Sequence, residues 1–141
     1  MSGRFPFQHL AKYPHMKPED VAVWTRFISK NPGYFDTVDY DVPCGQGAPV
    51  DPNHPPEIQR DHTILTQKKI DVVGYRGDSV TVIEVGPIAD MRKLGQALTY
   101  SHLYALDHPE VSALQRMVVA GELERELGPI YASQSVEIEL A

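Results

Sequence analysis

Two acidic residues, Asp71 and Glu84, occupy strand patterns that would bring their side chains together. Segments 70–75 and 80–85 are rich in β-branched residues, and the turn-forming pair Gly77-Asp78 lies between them. A two-residue turn and a four-residue loop both place Asp71 directly opposite Glu84. Their Cβ atoms would then lie about 5 Å apart. We therefore expect a pair of facing carboxylates in a β-hairpin.

Facing carboxylates among apolar neighbours are destabilising unless a positive charge lies between them. Hard oxygen ligands with open coordination positions suit Mg²⁺ or Mn²⁺, which also bind phosphate oxygens. The alternative is that both acids simply face solvent. Against it, Glu84 is followed by Gly86-Pro87, where the strand leaves the sheet, and strand ends of this kind often carry ligand chemistry.

The same register places Lys69 opposite Gly86 and on the same face as Asp71, two residues away. Because glycine leaves space, the Lys69 ammonium could lie over the carboxylates. There it could orient a hydroxide or stabilise charge on a phosphoryl group. The alternative is an exposed lysine at a strand edge.

A helical pattern over residues 88–107 follows the second acid. Its apolar stripe, which we expect to pack on the sheet, contains Met91, Leu94, Leu98 and Ala105. Lys93, Gln96 and Tyr100 fall on nearly the opposite side of the helix. A glutamine and a tyrosine one turn apart, beside a lysine, could contact a phosphate backbone or a base, although an ordinary solvated face is also possible.

The remaining patterns predict the elements around this hairpin and helix. They are a helix from Pro18 that stops at Asn31-Pro32-Gly33, a strand over 35–42, a loop over 43–56, a strand over 116–120, a helix over 122–127 closed by Gly128-Pro129, and a strand over 136–140. This order predicts an α/β fold with a mixed sheet flanked by helices.

At 141 residues, 42% hydrophobic and 23% charged, the chain has the composition of one folded domain, which we expect to span residues 1–141. The single cysteine, Cys44, excludes an internal disulfide and indicates a reducing, cytoplasmic setting. Apolar runs reach neither the length of a membrane span nor that of a signal peptide, so we expect neither membrane insertion nor export by that route.

A net charge of -6 argues against a protein that coats nucleic acid through overall charge. Any nucleic-acid contact must be local, and the basic residues do concentrate, at Lys68, Lys69, Arg76, Arg92 and Lys93. We expect Arg92 to take part in such a contact. Phosphate-binding loops and serine-hydrolase motifs do not occur, and the spacing of His102 and His108 does not favour zinc.

Taken together, these motifs resemble the PD-(D/E)XK nuclease superfamily. The resemblance rests on Asp71, the hairpin, residues 83–86 (Ile-Glu-Val-Gly) and a helix with Gln96 and Tyr100 four residues apart. It looks most like the RecB-like branch, with its Q-x-x-x-Y helix, and covers roughly residues 17–140 in element order. It implies a restriction-endonuclease-like αβββαβ core.

The resemblance also implies an activity and a ligand set. The acids that match Asp71 and Glu84, with the backbone carbonyl that matches Val85, hold Mg²⁺ or Mn²⁺ for phosphodiester hydrolysis in the family. The equivalents of Gln96 and Tyr100 contact DNA. An additional upstream acid or histidine assists the metal in related proteins, and Glu19 and His62 are the candidates here.

One position departs from the family pattern, because Gly86 stands where the E-x-K motif has lysine. The lysine could have migrated, with Lys69 preferred over Lys93. Alternatively the domain has lost catalysis and keeps binding, or the position was altered.

The leading hypothesis is a metal-dependent DNA nuclease of phage or prokaryotic type, with Asp71 and Glu84 on the metal and Lys69 or Lys93 assisting. The alternative is a catalytically impaired nuclease-fold module that binds nucleic acid or a protein. A homo-oligomer or a helper protein is compatible with so short a chain.

Overall fold

The first helix, α1, begins at a proline and ends before Asn31-Pro32-Gly33, as the sequence predicts. It spans Pro18–Lys30, with acidic residues in its first turn and a lysine in its last. Both placements stabilise the helix, because the side-chain charges are opposite in sign to the nearby ends of the helix dipole. Its buried side chains are Val23, Trp24, Phe27 and Ile28, so one apolar face holds the helix against the sheet.

The computed structural model describes residues 1–141. After β1 (Phe5–Pro6) and α1, the elements are β2 (Thr37–Cys44), α2 (Pro56–Thr66), β3 (Lys68–Arg76), β4 (Ser79–Ala89), α3 (Met91–Asp107), β5 (Ala113–Leu123), α4 (Gly128–Ser133) and β6 (Glu137–Leu140). None of the helices is long and apolar enough to cross a membrane.

The strands form one six-stranded sheet in the order β1-β2-β3-β4-β5-β6. Neighbours from β1 to β4 are antiparallel, whereas β5 and β6 run parallel to β4 and β5. The crossover from β4 to β5 carries α3, as parallel connections require. The predicted α/β fold with a mixed sheet is therefore confirmed.

The hairpin has the predicted register. Arg76 pairs with Ser79, so Gly77 and Asp78 form a two-residue turn, and the ladder continues to the pair Val72 and Ile83. Gly77 has a positive φ of 56°, which glycine adopts without strain. The next facing position beyond the ladder belongs to the two acids.

Two local predictions are wrong. Residues 122 and 123 belong to β5, and Gly128-Pro129 begins α4 rather than closing a helix. The physical reason is that proline fits the first turn of a helix, where its missing N–H costs nothing. Helix α2 was not predicted, because none of its residues is buried and its sequence lacks a core-facing apolar stripe.

The apolar stripe predicted for α3 is also only partly correct. Met91 is 72% exposed and Ala105 is exposed, whereas the buried residues of α3 are Leu94, Ala97, Ser101 and Tyr104. Polar Ser101 is tolerated in this face because its Oγ accepts a hydrogen bond of 2.9 Å from Arg116 Nε.

The sheet is covered on both faces. Helix α1 and the N-terminal segment pack on one face, over a cluster that includes Trp24, Phe27, Val72 and Val85. Helices α3 and α4 pack on the other face, where Ala97 and Tyr131 meet β5. Glu84 lies two residues after Val82, which packs under α3, so its side chain projects toward that face. Asp71 is reached from both faces, since it lines a cavity with Asp20 of α1 and lies 3.6 Å from Lys93 of α3.

Gly74 provides a test of the packing under α1. A Cβ at this position would lie 2.6 Å from two ring carbons of buried Phe35. We expect Gly74→Ala to lower the free energy of unfolding by about 1–3 kcal/mol, because the packed ring must shift. Urea unfolding measures this change. Asp78→Ala in the exposed turn is the control, and an equal stability of both variants would contradict the packing.

Candidate active site

Asp71 and Glu84 meet where β3 and β4 separate. The Asp71 N–H donates a hydrogen bond of 3.1 Å to Glu84 Oε2, and the Val85 N–H donates one of 2.9 Å to Asp71 Oδ2. Each carboxylate therefore accepts a backbone N–H that lies at or beside the other acid. The β3–β4 ladder ends at Val72 and Ile83, and beyond it side-chain oxygens accept these two N–H groups.

Glu84 is almost completely buried, with 2% of its surface exposed. Burial raises the pKa of its carboxyl group to about 8, and the negative charge of Asp71 acts in the same direction. The backbone hydrogen bond and the Lys93 ammonium oppose this shift. Burial beside Asp71 thus favours the protonated form of Glu84.

Lys93 supplies the positive charge nearest to the two acids. Its Nζ lies 3.6 Å from Asp71 Oδ2, with 18% of its side chain exposed. A Cβ built on Gly86 would lie 2.6 Å from Lys93 Cε and 3.5 Å from its Nζ. The side chain of Lys93, which comes from α3, thus occupies the space that a side chain at position 86 would use.

Lys69 lies elsewhere, contrary to the expected position over the carboxylates. Its Nζ donates hydrogen bonds to the carbonyl oxygens of Ile64 and Gln67 at the C-terminal end of α2. Lys69 pairs with Pro43 of β2 and has no partner on β4. The expectation that it faces Gly86 is therefore wrong, because the β3–β4 ladder ends before that position.

The acid of α1 beside the site is Asp20 rather than Glu19. Burial raises the pKa of Asp20, and the charge of Lys93 lowers it while that of Asp71 raises it. Glu19 is exposed, and so is His62, whose Nε2 lies 3.1 Å from the Pro49 carbonyl oxygen. The helical period could have indicated Asp20, since it lies on the buried side of α1.

A third acid, Asp41, lies on β2, opposite Asp71 of β3. The flanking pairs, Tyr40 with Val72 and Val42 with Ile70, put Asp41 opposite Asp71. With Asp20 and Asp71, Asp41 lines a small cavity of about 70 Å³. No three His, Cys, Asp or Glu side chains form a ready metal-binding group, so a metal ion would need backbone oxygens or water as well.

The residues expected to contact nucleic acid flank this site. The Oε1 atom of Gln96 is buried without a hydrogen-bond partner. Burial raises the pKa of Tyr100, and the charge of nearby Glu84 adds to this shift. Arg92 is exposed and lines a cavity of about 230 Å³, whose charged lining residues are Lys17, Arg92, Lys93, Glu19, Asp20 and Asp90. The face of α3 that carries Lys93, Gln96 and Tyr100 thus lies beside the two carboxylates, and these three side chains are half-buried.

No protein-family model and no curated protein matches this chain. Two solved structures resemble it. The structure of an EndoMS–dsDNA2 complex has a TM-score of 0.50 and 12% sequence identity over 94% of this chain and 48% of that chain. A repair endonuclease from Pyrococcus abyssi has a TM-score of 0.49 and 17% identity over 93% of this chain and 49% of that chain.

The chain spans about half the length of the solved structures that it resembles. At this level of identity, the likeness to the EndoMS structure shows the fold. The chain has the restriction-endonuclease-like α/β fold, as its sequence predicts.

The buried carboxyl group of Glu84 makes stability depend on pH. Its pKa is raised from the ordinary 4.5 to about 8. Below the ordinary pKa, the carboxyl group is protonated in both the folded and the unfolded protein. As pH rises from there toward 8, the unfolded protein loses this proton more readily than the folded protein, so the free energy of unfolding falls. Without metal, we expect Glu84→Gln to become more stable than the wild type by about 1 kcal/mol per pH unit across this window.

Thermal or urea unfolding at a series of pH values measures this difference. Glu122→Gln is the control, because Glu122 is an exposed residue of β5. Equal pH dependence in the wild type and Glu84→Gln would contradict the assignment.

Proposed function

We propose that this chain is a divalent-metal-dependent DNA nuclease that hydrolyses phosphodiester bonds. The observation that carries the proposal is the Asp71 and Glu84 pair, with the Lys93 ammonium beside it in the space left by Gly86. The fold shared with an endonuclease in a complex with double-stranded DNA supports DNA as the substrate. The motifs favour the RecB-like branch of the PD-(D/E)XK superfamily and a phage or prokaryotic source.

The donor set fits Mg²⁺ or Mn²⁺. A buried acid whose pKa is about 8, next to a second acid, gains most from a divalent cation that takes the place of its proton. Asp71, Glu84 and the Val85 backbone carbonyl would hold the ion. Bound there, it would supply a more acidic water molecule and neutralise charge on the phosphate.

Lys93 would act on the substrate from α3. Its ammonium lies 3.6 Å from Asp71 Oδ2, so this carboxylate holds it toward the site. From there it can donate a hydrogen bond to a phosphate oxygen or orient the attacking water. Gln96 and Tyr100, on the following turns, would hold the DNA strand against the site through the exposed parts of their side chains.

The second candidate function is a module that binds nucleic acid or protein without cleaving it. Its support is Gly86 in place of a lysine, together with a net charge of -6. Because Lys93 already fills the space beside Gly86, a positive charge is available without a lysine at position 86. We therefore favour the nuclease.

The proposal predicts which substitutions stop cleavage. Asp71→Asn and Glu84→Gln should abolish it, because each removes a charged ligand of the metal ion. Lys93→Ala should reduce it by roughly 100-fold or more, because it removes the positive charge beside the reacting phosphate. Lys69→Ala is the matched control and should stay close to wild type. Cleavage of labelled single- and double-stranded oligonucleotides with Mg²⁺ or Mn²⁺ measures these effects.

Calorimetric titration with Mn²⁺ tests the metal site without a substrate. Heat of binding in the wild type that disappears in the Asp71→Asn, Glu84→Gln double variant is the expected result. A wild type that binds DNA but cleaves none under any of these conditions would favour the binding module instead.

The origin of the lysine can be tested by moving it. Lys93→Ala removes the side chain that would collide with a residue at position 86, so the double variant Lys93→Ala, Gly86→Lys has room for a strand lysine. We expect it to recover at least about tenfold of the cleavage rate lost in Lys93→Ala, since the ammonium returns to the same space. Lys93→Ala with Gly86→Met is the control for side-chain bulk, and equal rates in both double variants would contradict the assignment.

A further inference from the structure

Helix α2 lies outside the three apolar clusters of the protein. None of its residues is buried or belongs to a cluster. Its side chains bond instead to the preceding loop, where Gln59 Nε2 donates to the His54 carbonyl oxygen and Thr66 Oγ1 accepts the Ala48 N–H. A helix of 11 residues is only marginally stable in water without packing. Most of the surface of α2 thus lacks a packing partner within the chain.

One open face of α2 carries apolar residues at its two ends and polar residues at its centre. Its four residues recur at helical spacings of three, four and seven positions and are termed the α2 stripe: Ile58, Asp61, His62 and Leu65. All four are exposed, and the exposed fractions are 45% for Ile58 and 82% for Leu65. Gln59 and Thr66, which bond to the loop, lie about a third of a turn around the helix, so the loop leaves this face open.

The two polar residues of the α2 stripe are complementary in charge. The Asp61 carboxylate forms no ion pair within the chain. His62 Nε2 lies 3.1 Å from the Pro49 carbonyl oxygen, which leaves Nδ1 to donate a hydrogen bond to a carboxylate when the ring is protonated. The centre of the stripe therefore holds an acceptor beside a potential donor.

The order of residues in the α2 stripe is complementary to itself when it is reversed. In an antiparallel pair of α2 helices with a two-fold axis between positions 61 and 62, Ile58 lies level with Leu65 of the second copy. Asp61 then lies level with His62 of the second copy, and the two-fold axis repeats each contact. A parallel pair would instead place Asp61 against Asp61. Charge and apolar surface thus favour the antiparallel pair.

We propose that α2 is a dimerisation helix, whose stripe packs antiparallel against the α2 stripe of a second copy of this chain. Nucleic acid does not fit this face, because Asp61 lies at its centre and the net charge of the chain is -6. Two helices of three turns bury less than the roughly 1,600 Å² of a standard interface, so the dimer is weak and depends on concentration. The inference is independent of the proposed function, since it requires neither DNA binding nor cleavage.

Removal of an apolar contact tests the interface in the full chain. Leu65→Gln should weaken dimerisation by about tenfold or more, because the dimer loses the contact twice. Ile64→Gln is the matched control, since Ile64 is the adjacent residue and is 54% exposed but lies off the stripe. Analytical ultracentrifugation over a concentration series measures the dissociation constant. A wild type that is monomeric up to about 1 mM, or an effect of Ile64→Gln as large as that of Leu65→Gln, would overturn the proposal.

A charge exchange tests whether the two stripes face each other. The double variant Asp61→Lys, His62→Lys and the single variant His62→Asp should each dimerise about tenfold more weakly than the wild type, because like charges then face each other. Their equimolar mixture should regain association, since every lysine faces an aspartate. Arg60→Glu, on the far side of α2, is the control for a change of charge. A mixture that associates no better than either variant alone would overturn the proposal.

Discussion

The constraint on which the site depends is the placement of two acids side by side where β3 and β4 separate. Glu84 is nearly inaccessible to water and Asp71 lies next to it. A buried carboxylate beside a second one is costly unless protons, hydrogen bonds or cations compensate the charge. Here two backbone N–H groups and the Lys93 ammonium each provide part of the compensation. The raised pKa of Glu84 adds to it, because the carboxyl group keeps its proton to a higher pH. A divalent cation would complete it.

The position of Lys93 is fixed by packing at the start of α3. Asp90 caps the helix, and its side chain accepts the N–H of Lys93 at 2.9 Å. The Asp90 carbonyl oxygen in turn accepts a hydrogen bond of 2.6 Å from the Tyr131 hydroxyl of α4. Helix α4 therefore helps to fix the start of α3, and with it the position of the Lys93 backbone relative to Asp71.

The hairpin register could be predicted from the sequence, because it depends on neighbouring residues. The position at which the β3–β4 pairing ends could not. The hairpin register follows from alternation and from Gly77-Asp78, so the meeting of Asp71 with Glu84 could be predicted. The choice between Lys69 and Lys93 could not, because it depends on where β3 turns away from β4 and on how far a helix side chain reaches. Asp20 could have been found from its place on the buried side of α1.

A lysine on a helix differs physically from one on the strand that carries the acid. On β4, a lysine at position 86 would share the rigid alternation that places Glu84, since both would project to the same face. From α3, the ammonium reaches the site only while the helix stays docked through Leu94 and Ala97. Local loosening of the first turn of α3 would move Lys93 and leave the two acids in place, so the geometry of this site depends on tertiary packing as well as on the sheet.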